Sequence, residues 1–181
     1  MAEQKFALPI AIQVAEVLYD VRNKAHLTGQ AREADDGKNY ATASNMMASE
    51  DDDITYQLKR SLADYFSGLK TLLGEFLDED NDTADNLIDS IIEDEGKLSL
   101  SFRLPSNFNS ASADAVGKGI HKYLVSNVLA DWFSITNKAD AEDYVTQGVG
   151  ALESARRALY KRKRPERPTF DDSTEQSVGE Q

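Results

Sequence analysis

Residues 123–168 read YLVSNVLADWFSITNKADAEDYVTQGVGALESARRALYKRKRPERP: two helical stretches separated by a short break, then a basic run with two prolines. Upstream of the break, Val116, Ile120, Tyr123, Leu124, Val128 and Trp132 recur at the three-and-four spacing of one buried helix face. Leu129 and Phe133 widen that face, so Leu124, Val128, Trp132 and Phe133 are expected in the core. Downstream, Thr136 or Asn137 caps the next helix, with Asp140 at capping-box distance from Asn137. Its expected inner face is Ala141, Tyr144, Val145, Gly148, Leu152, Ala155 and Leu159. Small residues at 148, 151 and 155 would let a neighbouring helix approach closely. With a break this short, at residues 136–138, the two helices are expected to be antiparallel neighbours.

The rest of the chain must pack on this helical pair. Pro9 suits a first helical turn, where its missing N–H costs nothing. Ile10, Val14, Val17, Leu18 and Val21 then fall on one stripe, so a helix is expected to start at Pro9 and fray before Thr28 and Gly29. Residues 28–48 lack periodicity and read as a long surface loop. Ser49 is the expected N-cap of the next helix, with Asp51, Asp52 and Asp53 in its first turn, where negative charge complements the helix dipole. Ile54, Leu58, Leu62, Tyr65, Leu69, Leu72 and Phe76 carry this amphipathic helix to about Leu77.

Leu98, Leu100, Phe102 and Leu104 alternate with Lys97, Ser99, Ser101 and Arg103, a strand with one buried face, stopped by Pro105. Residues 88–93 could pair with it as a hairpin, although residues 84–93 also match helical spacing. The expected class is mainly α: a bundle of about four helices with a small β-hairpin insertion near residues 87–104. The bundle would occupy residues 1–164, with an extended or disordered tail over 165–181.

The chain has 181 residues, enough to bury a core without staples, and no cysteine, which excludes disulfides and thiolate metal sites. No apolar run approaches the roughly 18–20 residues of a membrane span, and Gln13, Glu16 and Asp20 interrupt the N-terminal apolar stretch. A soluble protein assembled in the cytoplasm is expected. The net charge of −12 is unevenly spread. Residues 1–155 carry 13 Lys/Arg against 27 Asp/Glu, whereas residues 156–168 carry seven Lys/Arg against one Glu. Such an acidic body should repel nucleic acid.

Catalytic constellations are missing from the sequence. His26 and His121 lack metal-ligand spacing and read as structural. Gly148 and Gly150 lie inside a helical pattern rather than after a strand, so no phosphate loop is present. The spacing of Asp78, Asp80 and Asp82 invites a calcium-loop reading, but Thr83 replaces the turn glycine and Asp89 the bidentate Glu. The tract 75–95 reads instead as a solvated acidic surface. A non-enzymatic protein without cofactor or metal is expected.

The basic run Arg156, Arg157, Lys161, Arg162, Lys163, Arg164 and Arg167, with Pro165 and Pro168, has three readings. It could decorate a helix C-terminus, bind phosphates, or dock as a strap on an acidic surface of an identical neighbour. The third is preferred, because the chain offers such a surface at Asp51, Asp52, Asp53, Asp78, Glu79, Asp80 and Asp82.

The segments Y-L-V-x-N-V-L-A-D-W-F-x-I-T-N-K-x-x-A-x-x-Y (123–144) and A-L-x-x-x-R-R-A-L-Y-x-R-x-R-P-x-R-P (151–168) resemble small structural proteins of phages and prophages of gut Bacteroidales-type bacteria. L-S-F-R-L-P-S-N-F (100–108) resembles the same group, and the overall plan is similar to head–tail connector (adaptor) proteins of tailed phages. The resemblance implies a virion neck protein: a homo-oligomeric ring of about twelve copies, seated under the portal protein and joined to other neck or tail proteins. Double-stranded DNA would pass through its channel without sequence-specific contact. The alternative is a nucleic-acid-binding or DNA-packaging accessory protein that uses residues 156–167.

Overall fold

The computed structural model describes residues 5–36, 44–78, 80 and 96–165. Among these the order is strand β1 (Lys5–Gln13), helix α1 (Val14–Asp36), helix α2 (Asp52–Leu72), a 3-10 turn (Gly74–Phe76), strand β2 (Lys97–Pro105), a second 3-10 turn (Ser110–Ser112), and helices α3 (Ala113–Thr136) and α4 (Lys138–Leu159). The chain is mainly helical, with a small antiparallel sheet, as expected.

α3 is the hub. Its Val116, Ile120, Leu124, Val128, Leu129 and Phe133 are all fully buried, because α1, α2, α4 and the sheet cover it from several sides. α3 and α4 run antiparallel, shown by paired contacts in reverse order along the two helices. Ser112 Oγ donates to Ala158 O, Gly119 faces Ala155, Asn127 abuts Gly148, and the Phe133 ring stacks on Tyr144 at 5.3 Å. Small residues permit this approach: a Cβ at Gly119 would lie 2.8 Å from Ala155 Cβ. Asn137 caps α4, accepting from Ala139 N at 3.2 Å. Asp140 does not complete a backbone capping box. Its carboxylate accepts from Asn137 Nδ2 at 2.7 Å and pairs with Arg32 of α1.

The expected first helix requires correction at both ends. Residues 5–13 form a strand that pairs antiparallel with β2, in register from Lys5 with Pro105 to Gln13 with Lys97. Val14 N donates to Gly96 O at 3.0 Å. Hydrogen-bonded pairs therefore fall on even residues of β1, and Pro9, opposite Ser101, turns its missing N–H to the outer edge, where a strand tolerates it. Leu8 and Ile12 bury with Leu98, Leu100, Phe102 and Leu104, while Ile10 packs at the margin of the same core. At the other end, α1 continues through Thr28 and Gly29 to Asp36. Tertiary anchors outweigh weak local propensity here: Thr28 Oγ1 meets Tyr144 OH at 3.1 Å, and Arg32 holds Asp140.

Four further expectations change. Residues 44–46 are helical and Met46 is buried, so not all of 28–48 is surface loop. α2 starts at Asp52, with Asp51 rather than Ser49 at the N-cap position and no side-chain cap bond there, while the Ser49 hydroxyl donates to Asp51 Oδ2 at 2.6 Å. It stops at Leu72, which is 43% exposed, and the chain tightens so that Leu73 and Phe76 turn inward instead. Val145, expected on the inner face of α4, is 48% exposed.

The outer edge of β2 receives Leu77 and Asp78, with Asp78 N donating to Ser101 O at 2.8 Å. The candidate hairpin partner, residues 88–93, lies outside the described residues; the partner observed for β2 is β1.

Candidate assembly surfaces

The basic run begins inside the folded body. Arg156 lies 3.5 Å from Glu75, and Arg157 pairs with Glu153 one turn back at 3.0 Å. Beyond the end of α4, Tyr160 packs edge-on against Phe76 at 5.0 Å and donates its hydroxyl to Glu75 Oε1 at 3.1 Å. That bond to a carboxylate raises the Tyr160 phenol above its ordinary value. The chain then lies against the turn after β2. Asn109 N donates to Lys161 O at 3.1 Å, Lys163 N donates to Asn107 O at 2.8 Å, and Arg162 forms a bridge with Phe108 between them. Arg162 folds back to donate to Leu159 O at 2.9 Å, a cation on a helix C-terminal carbonyl.

Arg156, Arg157 and Arg162 are thus engaged within the chain. Lys161, Lys163 and Arg164 are exposed and form no ion pair among the described residues, and Pro165 is exposed beside them. Arg167 and Pro168 lie outside the described residues.

The acidic residues divide. Asp51, Asp52 and Asp53 are exposed at the start of α2. Asp78 is buried, only 5% exposed, and its Oδ1 accepts from Asp80 N at 3.4 Å, so it does not belong to an open acidic surface. Asp80 is exposed and pairs with Arg103 of β2 at 3.0 Å. Glu79 and Asp82 lie outside the described residues. α2 separates the two charged ends. Its start carries Asp51–Asp53, and the turn after its end touches Tyr160 and Arg156. Twenty-one helical residues put roughly 30 Å between them.

Of the expected core residues, Leu124, Val128 and Phe133 are fully buried. Trp132 and Tyr144 sit at the core margin, where each has a polar partner: Trp132 Nε1 donates to Met46 O at 2.8 Å, and Tyr144 OH meets Thr28. His121 Nε2 lies 2.9 Å from Asp20 Oδ2 and ties α3 to α1.

A cleft of about 630 Å³ opens between the first half of α1 and residues 48–50. No local sequence pattern marks it, because α1 and the start of α2 are brought together only by tertiary packing. Leu18, Tyr19 and Ala48 supply its apolar lining, with Glu16 and Glu50 among its polar groups. Arg22 also lines it, but its Nη2 donates to Thr55 Oγ1 at 2.6 Å. His26 lines the same cleft.

Among the described residues, no group of three or more His, Cys, Asp or Glu could hold a metal ion, and no helix is long and apolar enough to cross a membrane. Comparison of the chain with protein-family models, with curated proteins and with solved structures found no match.

Proposed function

We propose that this chain is a non-enzymatic structural subunit of a tailed-phage particle, of the head–tail connector (adaptor) kind. In this reading copies associate head to tail into a ring between portal and tail, around the path of the DNA. The observation that carries it is the separation of exposed charge. Lys161, Lys163 and Arg164 follow Tyr160, which touches Glu75 in the turn after α2, whereas Asp51, Asp52 and Asp53 stand at the start of that helix, which is about 30 Å long. Two acids near the basic end, Glu75 and Asp80, already face Arg156 and Arg103. A second copy offers the complementary end, and a heterologous contact of this kind closes into a ring when the rotation allows. The resemblance of residues 100–108, 123–144 and 151–168 to phage structural proteins supports the same reading.

The test is the mass of the purified chain, alone and with portal protein, together with a search for the chain in purified particles. A multi-subunit mass, or co-purification with portal or particles, is the expected result. A chain that stays monomeric, ignores portal and is missing from particles would contradict the proposal.

One observation favours the alternative, a nucleic-acid-binding accessory protein. Tyr160 is 54% exposed beside Lys161 and Lys163, an aromatic among cations. This reading predicts salt-sensitive DNA binding that is lost when Lys161, Lys163 and Arg164 are neutralised.

A further inference from the structure

The cleft between α1 and residues 48–50 lies beside the acidic end of α2, and its lining suits one particular occupant. Tyr19, Leu18 and Ala48 give an apolar lining, and Glu16 and Glu50 add carboxylates. Asp51 continues the negative rim, accepting from the Ser49 hydroxyl at 2.6 Å. Arg22 is the one arginine of the lining, with its Nη2 donating to Thr55 Oγ1 and its Nε buried without a partner, so the two carboxylates outnumber it. An apolar lining with a negative rim matches side chains that carry a cation on an aliphatic stem, since such stems lie along apolar surface while their heads reach the edge.

This chain carries such a segment. After the bridge at residues 107–109 and 161–163, the sequence continues Arg164, Pro165, Glu166, Arg167, Pro168. Two prolines reduce the entropy lost when the segment is held extended. Its point of departure, Lys163, is fixed to Asn107 at the end of the molecule remote from the start of α2.

We propose that the cleft receives the Arg164–Pro168 segment of a second copy of this chain. The proposal rests on the assembly reading above and makes it specific. Arg164 and Arg167 would lie over Tyr19 and meet Glu16 and Glu50, and the prolines would fill the apolar lining.

The experiment uses the full chain with p-benzoylphenylalanine in place of exposed Tyr19, taken in equal amounts from ¹⁴N-grown and ¹⁵N-grown cells, unfolded and refolded together so that subunits scramble, and irradiated. Mass spectrometry of the digest is expected to show a cross-link from position 19 to residues 161–168 with the mixed-isotope pattern of two chains. Replacing Glu16 and Glu50 by Lys should lower its yield roughly tenfold or more, as like charges meet across the contact. Adding Arg164→Glu and Arg167→Glu should restore it. Unchanged thermal melting of each variant controls for folding. A cross-link confined to one isotope places the segment in its own chain's cleft and overturns the inference, as does a mixed-isotope cross-link that maps elsewhere. Either result leaves ring assembly standing. A chain that is monomeric at every concentration and never enters particles removes the assembly reading as well.

Discussion

Arg156, on the last turn of α4, lies 3.5 Å from the Glu75 carboxylate, whose Oε1 also accepts the Tyr160 hydroxyl at 3.1 Å. The first part of the basic run therefore secures the end of α4 to the turn after α2. Both partners of the ion pair are substantially exposed, so the pair contributes no more than about 1 kcal/mol. Arg156→Ala should lower stability by less than that and leave self-association unchanged. Glu75→Gln should bring the Tyr160 phenol back down toward its ordinary value, as the carboxylate that holds it up is lost. Ultraviolet titration of the tyrosines checks the second outcome.

The α3–α4 seam yields a contrast among glycines. A Cβ at Gly119 would stand 2.8 Å from Ala155 Cβ and 3.1 Å from Ala151 O, and backbone cannot step aside. Gly119→Ala gains roughly 1 kcal/mol of helix propensity but meets an overpacking cost of about 1–3 kcal/mol, so net destabilisation is expected. Gly68 and Gly150 have nothing within 4 Å of an added Cβ. Their alanine variants should gain about 0.5–1 kcal/mol each. Denaturant melts of the three variants test the ordering.

Much of this seam was legible in the sequence. The stripe through Val116, Ile120, Leu124 and Val128, the Asn137 cap and the small residues at 148, 151 and 155 all act locally, and local rules found them. β1 was missed for a physical reason. Phe6, Leu8, Ile10 and Ile12 alternate, but Ala7 and Ala11 blur the period, and Pro9 suits a helix start as well as an outward-facing edge position. Only the partner, some ninety residues away in β2, decides between them. The extension of α1 past Gly29 depends likewise on Tyr144 and Asp140, more than a hundred residues on. The intramolecular anchoring of Arg156 and Arg162 was hidden for the same reason, as was the cleft between α1 and residues 48–50.

Two phenols should make the fold sensitive to alkali. Burial raises Tyr65, with Asp131, Tyr123 and Asp64 adding to the shift, and burial raises Tyr123. Folding thus favours the neutral phenol. The stability it contributes is fully present below the unfolded value near 10.0 and is lost as pH rises through the higher folded values. Urea midpoints should hold steady through neutral pH and fall above about pH 10. Tyr65→Phe should make that fall shallower, and an equal fall in variant and parent would refute this origin.

Charge on the segment after α4 should control self-association without touching the fold. Lys161, Lys163 and Arg164 are exposed and form no ion pair among the described residues. The most direct measurement is the light-scattering mass of the full chain across salt concentration, beside a variant with Lys161, Lys163 and Arg164 all changed to Glu. The account predicts a multi-subunit parent whose mass falls as salt screens the contact, and a variant that melts like the parent yet stays monomeric throughout. Equal masses for the two chains at every salt concentration would contradict it.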